Sequence, residues 1–347
     1  CKNGHIDTGK WPSAALTVSP RVGFSWDVLG DNSLKLRGGT GLFSGRLPLV
    51  FFTNMPTNSG MVQYQAKLNS DGKSGGIKTD MNEFAGGILK REELLAKLLE
   101  LGYPNTISPA DGTIPAEISA VDPKFKMPQV WKTSLAVDYT FPTSFPFTIS
   151  AEGIYNKTVN GVIIRDWSVK STDGFARLNG ADNRPIYQDY QKQYQVWDAD
   201  KQELVSKPLP SAYVLENTHK GYGYSGTFTV NMRPIPELSL MAAYTHTVSK
   251  EVTGMPGSNA SSVLNYLGTV YGPNDPGLHN SQYVTPDRFI ASITHNDKSG
   301  NHFSFIYETW RGGYNYTYMT ANDMNGDGYN YDLIYIPTDE QVANGDF

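Results

Sequence analysis

The chain has 347 residues, enough for two ordinary soluble domains or for part of one large β architecture. Its net charge is −5 and its charged residues are dispersed, so no basic patch indicates a nucleic-acid partner. The single cysteine, Cys1, excludes an internal disulfide. No apolar run approaches the ~18 residues of a membrane-spanning helix, which excludes helical spans but not a β-barrel, whose strands are only half apolar.

Residues 20–45 predict a first β-hairpin. Apolar side chains alternate with polar or small ones along residues 21–28, and the alternation resumes after a turn rich in Gly, Asp and Asn. Symmetric pairing about this turn places Asp27 opposite Lys35 and predicts an ion pair between them. Each arm is near the ~9–11 residues that a tilted membrane strand needs.

The second arm of this hairpin contains a glycine-rich stretch, residues 38–41. A phosphate-binding loop would need GxGxxG spacing and a following helix, and neither is present. We therefore interpret these glycines as positions where a barrel strand bends or approaches a plug closely.

Residues 46–128 predict a long loop with one short helix. Asp80 and Glu83 have the spacing of a capping box, and Gly102 with Pro104 predicts the end of the helix. Between them lies an apolar stripe at helical spacing, formed by Leu94, Leu95, Leu98 and Leu101. We interpret the stripe as packing onto the loop's own core; the alternative is a partner-binding face.

Three further hairpins are predicted at about 130–158, 222–250 and 286–311. In the third of the four, a turn at 233–237 would place Gly226 opposite Tyr244. The remaining long loops are predicted at about 161–217, 251–285 and 312–347.

Short turns at one end of the strands and long loops at the other are unusual in a compact soluble domain, and a membrane barrel has both by construction. The pattern favours an all-β fold: a section of a large antiparallel transmembrane β-barrel with long extracellular loops and one short loop helix. A soluble β-sandwich is the alternative. By alternation, the charged strand residues should face the lumen; they are Arg21, Asp27, Lys35, Arg37, Lys132, Asp138, Glu152 and Glu308.

The sharpest local motif is an Asp-rich segment in the last loop. Oxygen-bearing side chains at alternate positions, followed by glycine, are typical of a Ca²⁺ loop. The predicted ligands are Asp323, Asn325, Asp327, Tyr329 and Asp332. The segment departs from an EF-hand because position 12 is Ile334, so Asp332 would have to supply the closing carboxylate. The alternative is a metal-free turn at a loop tip.

Four aromatic residues at the last strand end, Trp310, Tyr314, Tyr316 and Tyr318, fit either a stacking surface for a ligand or an aromatic girdle at the membrane interface. Their recurrence at strand period favours the girdle. The six histidines lack HExxH or other metal-binding spacing, and no GxSxG nucleophile motif is present. The sequence therefore predicts no catalytic site and no required cofactor.

Three segments carry a resemblance to a known family. SPRVGFSWDVLGD…LRGGTGLFSGRLP, MPQVWKTSLAVDYTFP and DMNGDGYNYDLIYIP resemble the Oar-like TonB-dependent receptors of Bacteroidetes, relatives of the SusC-type transporters. The resemblance implies an outer-membrane barrel of about 22 strands closed by an N-terminal plug. It also implies an inner-membrane TonB energy complex as a partner through N-terminal parts, and leaves room for a surface lipoprotein partner.

The sequence shows roughly eight strands and no plug domain, so we expect residues 1–347 to be a partial barrel from a longer native chain. The expected function is uptake of an oligosaccharide, peptide or chelate across the outer membrane, with lipid surrounding the barrel. The alternatives are an adhesion or protein-export role at the cell surface and, more weakly, a secreted Ca²⁺-binding β-sandwich that binds carbohydrate.

Overall fold

The computed structural model describes most of the chain. The described residues are 6–57, 68–71, 77–78, 80, 91–100, 102, 117–169, 172–187, 193–198, 201–208, 210–257, 259–312, 319–320 and 322–346.

Fifteen strands and four short helices make up the described secondary structure. The strands are β1 (Arg21–Asp27), β2 (Leu34–Ser44), β3 (Leu68–Asn69), β4 (Ile77–Lys78), β5 (Glu117–Val121), β6 (Gln129–Thr140), β7 (Phe147–Asp166), β8 (Gln193–Asp198), β9 (Glu203–Pro208), β10 (Ser211–Thr218), β11 (Tyr222–Ile235), β12 (Leu238–Glu251), β13 (His279–Asn280), β14 (Asp287–Asn296) and β15 (His302–Arg311). The helices are α1 (Val50–Thr57), α2 (Arg91–Glu100), α3 (Ala260–Asn265) and α4 (Asp339–Asn344).

The largest sheet has eleven strands, and eight of them form a continuous path in the order β1-β2-β6-β7-β11-β12-β14-β15, in which every neighbouring pair is antiparallel. Apolar and polar side chains alternate along these strands. Since successive residues of a strand point to opposite faces, this alternation gives each strand one apolar face and one polar face. The order follows the chain, so each strand pairs with the next one of the sheet. The predicted all-β class is confirmed.

The sheet has a tight-turn end and a long-loop end. Short turns connect β1 to β2, β6 to β7, β11 to β12 and β14 to β15, and all other connections leave from the opposite end. Among the described strands, β1 pairs only with β2 and β15 pairs only with β14, so the sheet has two open edges.

The first hairpin has the predicted register, with Asp27 opposite Lys35. The predicted ion pair is wrong. Within the described residues, the side chains of Asp27 and Lys35 do not form an ion pair with each other. The carboxylate of Asp27 instead accepts hydrogen bonds from the backbone N–H of Gly30 (3.0 Å) and of Asn32 (2.8 Å). Asp27 therefore closes the turn.

The predicted register of the third hairpin is wrong by two residues. Gly226 lies opposite His246, and Phe228 lies opposite Tyr244. Strand β11 continues to Ile235 through an irregularity after Met232, which shortens the turn and shifts the pairing. A shift of two residues keeps every side chain on its predicted face, since the side-chain period is two.

The single predicted helix corresponds to α2, which ends before Gly102, a residue with φ of 88°. Its predicted start at Asp80 and Glu83 falls on a segment that lies mostly outside the described residues. Helices α1, α3 and α4 were not predicted, and neither were seven strands that lie within the predicted long loops: β3, β4, β5, β8, β9, β10 and β13. None of the described helices is long and apolar enough to cross a membrane.

The buried core lies among the long loops and the adjoining end of β7, rather than along the rest of the eight-strand path. Strand β10 pairs in parallel with β5 and antiparallel with the end of β7, and α1 and α3 pack nearby. The main cluster contains Phe52, Met55, Ile164, Leu215, Leu264 and Tyr329, among others. We call this part the loop core. In the sheet, by contrast, all ten residues of β15 are exposed.

Candidate functional site

The pairing registers place all eight charged residues predicted to face the lumen on one face of the sheet, which we call the polar face. The other face carries most of the apolar side chains of these strands, many of them exposed, and we call it the apolar face. Its exposed members include Phe24, Trp131, Leu135, Phe228, Ile293 and Phe305. Exposed apolar side chains on one face and charges on the other are the division expected of a strand wall between lipid and water.

Three of the polar-face charges form one network. Nε of Arg37 lies 2.9 Å from Oδ2 of Asp138, and Nη1 of Arg37 lies 3.5 Å from Oε1 of Glu152. The network thus joins β2, β6 and β7. Nearer the long-loop end, the Arg21 guanidinium lies 4.2 Å from the centre of the Phe43 ring, and Lys132 lies 5.6 Å from it.

An open cleft of about 730 Å³ lies on the polar face at the long-loop end, between β12, β14, β15 and residues 281–285. Trp310 and Tyr283 line it with side chains that are 60% and 73% exposed. An ion pair crosses the cleft wall, with Nε of Arg288 lying 2.7 Å from Oε1 of Glu308. Hydroxyl groups of Thr and Ser complete the lining.

This lining combines aromatic faces, hydroxyls and a charged pair that can donate and accept hydrogen bonds. Such a surface suits a polar organic ligand that also has apolar faces, such as a sugar or a peptide. Of the eight charged residues, the structure brings only Glu308 to the cleft. Arg288 and Tyr283 were missed, because their role depends on strands and a loop that meet only in the folded sheet.

Of the four aromatic residues predicted at the last strand end, Trp310 lies on the polar face, paired with Arg288. A girdle residue would lie on the apolar face, so the girdle interpretation does not fit Trp310. Tyr314, Tyr316 and Tyr318 lie outside the described residues. Ligand contact by Trp310 stays a prediction.

The predicted Ca²⁺ ligands lie in a tightly hydrogen-bonded loop. The carboxylate of Asp323 accepts hydrogen bonds from the backbone N–H of Gly326, Asp327 and Gly328, at 2.6, 3.1 and 2.8 Å. Oδ1 of Asn325 accepts one from the backbone N–H of Asp327 at 3.0 Å. The side chains of this loop therefore curl towards its interior.

Four of the five predicted ligands, Asn325, Asp327, Tyr329 and Asp332, are buried. Burial, with the charges of Asp332 and Asp323, raises the pKa of Asp327 to about 7. Burial also raises the pKa of Asp332, whose Oδ2 accepts a hydrogen bond from the backbone N–H of Met324. Tyr329 points away from this group, because its hydroxyl donates to Asp166. Within the described residues, no three His, Cys, Asp or Glu side chains are placed to hold a metal by themselves.

A charged cluster that the sequence interpretation missed lies on the apolar face at the long-loop end. Asp287 accepts a hydrogen bond from Tyr244 (2.6 Å) and pairs with His246 and Arg311, each at 2.8 Å. The sequence could have indicated this position of Asp287, because alternation along β14 places Phe289 and Asp287 on the same face. Its position beyond the main apolar stretch fits the polar border of a membrane wall.

This chain is similar to known proteins of the outer membrane. The model of a family described as outer membrane beta barrel domain matches residues 2–320. Among solved structures, the outer membrane transporter YddB from Escherichia coli is similar over 91% of this chain and 32% of that chain, with 8% sequence identity and a TM-score of 0.40. This chain thus spans about a third of that transporter's length. No curated protein matches the chain.

Proposed function

Because this chain belongs to the outer membrane beta barrel domain family, we propose that it forms a section of the barrel of a TonB-dependent receptor of the Oar-like, SusC-related kind. The family membership means that the chain resides in the bacterial outer membrane. The polar face then lines the lumen, the apolar face contacts lipid, and the long-loop end is extracellular. The two open edges support a larger barrel, since unpaired backbone groups are not tolerated in lipid.

The proposed activity is uptake of a large solute, an oligosaccharide, peptide or chelate, without enzymatic conversion. The observation that carries this proposal is the cleft with Trp310, Tyr283 and the Arg288–Glu308 pair, because it opens on the polar face at the proposed extracellular mouth. Energy would come from the inner-membrane TonB complex acting on N-terminal parts of the whole protein.

The test measures uptake of fluorescent oligosaccharides and oligopeptides by cells that carry the intact gene, with and without an active energy complex. Uptake that requires both the gene and the energy complex supports a receptor. Trp310→Ala should reduce uptake severalfold, because stacking area in the cleft is lost. Trp131→Ala, on the apolar face, is the matched control and should leave uptake unchanged. Equal uptake with and without the gene would reject transport of these solutes.

One observation favours a second function, adhesion or protein export at the cell surface. The hairpin of β8 and β9 pairs Trp197 with Leu204, and these side chains are 60% and 63% exposed. An exposed apolar pair on a loop hairpin suits a protein partner, such as a surface lipoprotein. Loss of cell adhesion in Trp197→Ser with uptake unchanged would favour this alternative.

A further inference from the structure

We propose that the loop of residues 323–329 binds a calcium ion, with Asp327 as its central carboxylate. This proposal goes beyond solute uptake and does not depend on it. The ligands we assign are the carboxylates of Asp323 and Asp327, the amide oxygen of Asn325 and the backbone carbonyl of Tyr329, completed by water. These are the hard oxygen ligands that Ca²⁺ prefers.

The observation that points to a ligand is an unpartnered buried oxygen. Asp327 is only 1% exposed, and its Oδ2 has no hydrogen-bond partner. Its other oxygen, Oδ1, accepts a hydrogen bond of 2.8 Å from the backbone N–H of Tyr329. A buried carboxylate oxygen without a partner is costly, and a cation beside it removes that cost.

The buried Arg184, the basic residue of this neighbourhood, does not supply that partner. It binds Asp182 at 2.8 Å and the backbone carbonyl of Leu333. Burial raises the pKa of Asp332, and the positive charge of Arg184 opposes that rise. The loop therefore places Asp323 and Asp327 together without this arginine between them.

The number of charged ligands is small. Only Asp323 and Asp327 contribute carboxylates, and Asp332 is held by the backbone N–H of Met324. Because Asp332 is not a ligand, only two carboxylates meet at the site. We therefore expect one or more water molecules to complete the coordination of Ca²⁺. Fewer charged ligands predict a weaker site than a closed EF-hand loop.

The same loop attaches the last part of the chain to the loop core. The backbone N–H of Tyr187 donates to the carbonyl of Asn325 at 2.6 Å, and the Tyr329 ring lies in the main buried cluster. Calcium bound between Asp323 and Asp327 would hold this attachment in place. Calcium binding is therefore expected to protect the loop from proteolysis.

The test uses the full-length protein purified from outer membranes in detergent and treated with a chelator. Titration with Ca²⁺ alone should give a saturable heat signal, and Tb³⁺ should give tyrosine-sensitised emission that Ca²⁺ displaces. Asp327→Asn should weaken Ca²⁺ binding about tenfold or more, because it removes one of two charged ligands. Asp297→Asn is the matched control, since Asp297 also accepts backbone hydrogen bonds in a turn but is not buried, and it should bind as wild type does.

Folding of each variant is checked by heat-modifiable migration on gels. If the Asp327→Asn variant does not fold, two measurements on the wild-type protein test calcium binding instead. They are the Ca²⁺-dependent protection of the loop from proteolysis and the displacement of Tb³⁺ by Ca²⁺. Absence of both signals in folded wild-type protein would overturn the proposal. Unchanged affinity in folded Asp327→Asn would overturn it as well. Neither result bears on uptake, which the Trp310 and Trp131 variants test separately.

Discussion

The hydroxyl of Tyr329 donates a hydrogen bond of 2.6 Å to Oδ2 of Asp166, across 163 positions of the chain. Both residues are buried, and Oδ1 of Asp166 also accepts hydrogen bonds from the backbone N–H of Ser168 and of Ala212, each at 2.9 Å. Burial and the charge of Asp166 raise the pKa of Tyr329, so the hydroxyl stays protonated and able to donate. This contact joins the last loop to the end of β7.

Tyr329→Phe should destabilise the loop core by about 1–3 kcal/mol, because Asp166 then loses a partner while remaining buried. The measurement is urea unfolding of the protein in lipid vesicles, combined with limited proteolysis of the loops. Tyr266→Phe is the control, since Tyr266 is exposed. Equal loop protection in the Tyr329→Phe variant and in the wild-type protein would contradict the structural role of this hydrogen bond.

Gly38→Ala should destabilise the sheet by about 1–3 kcal/mol through overpacking. A Cβ atom at Gly38 would lie 2.8 Å from the carbonyl oxygen of Ser134 and 2.9 Å from the Phe24 ring. Gly153→Ala is the control, because a Cβ atom there would meet no atom within 4 Å. Urea unfolding in lipid vesicles compares the two variants. Equal losses of stability would show that the close approach of Ser134 and Phe24 is not the reason for glycine at position 38.

The assignment of the two faces predicts opposite outcomes for one added charge on neighbouring residues. Ile293→Arg places the charge on the apolar face and should cost about 2–4 kcal/mol near the bilayer midplane. Ser292→Arg places it on the polar face and should be tolerated. The readout is the fraction of folded, heat-modifiable protein in outer membranes. Similar folded fractions for both variants would mean that the apolar face does not contact lipid.

The charge network on the polar face should contribute little to stability. Arg37 is partly exposed, so Arg37→Met should cost about 1 kcal/mol or less, and the cost should fall at high salt. Unfolding in low and high salt measures this, with Lys298→Met as the control because Lys298 is exposed and its ion pair with Glu237 is long, at 3.7 Å. A loss that does not change with salt would indicate that Arg37 acts through packing.

Several features of the fold were predictable from residues close in sequence. The alternation in residues 21–27 and 34–44 defines both strands, and the short turn between them leaves one good register, which Asp27 and Lys35 confirm. The third hairpin shows the limit of such reasoning, since a local irregularity after Met232 shifted the pairing without moving any side chain to the other face. The Asp-rich motif was also visible, because its ligand spacing is local.

The sequence by itself determined the eight strands of the four hairpins, their two faces and the motif at residues 323–332, because a period of two and a turn depend on near neighbours. Only the tertiary structure decided where the core lies, that Arg288 and Trp310 share a cleft, and that Asp327 is buried without a partner for Oδ2. The physical reason is separation along the chain. Contacts such as Tyr329 with Asp166 and Arg165 with Asn274 join loops to the end of β7 across more than 100 residues, and no local pattern records which segments will meet.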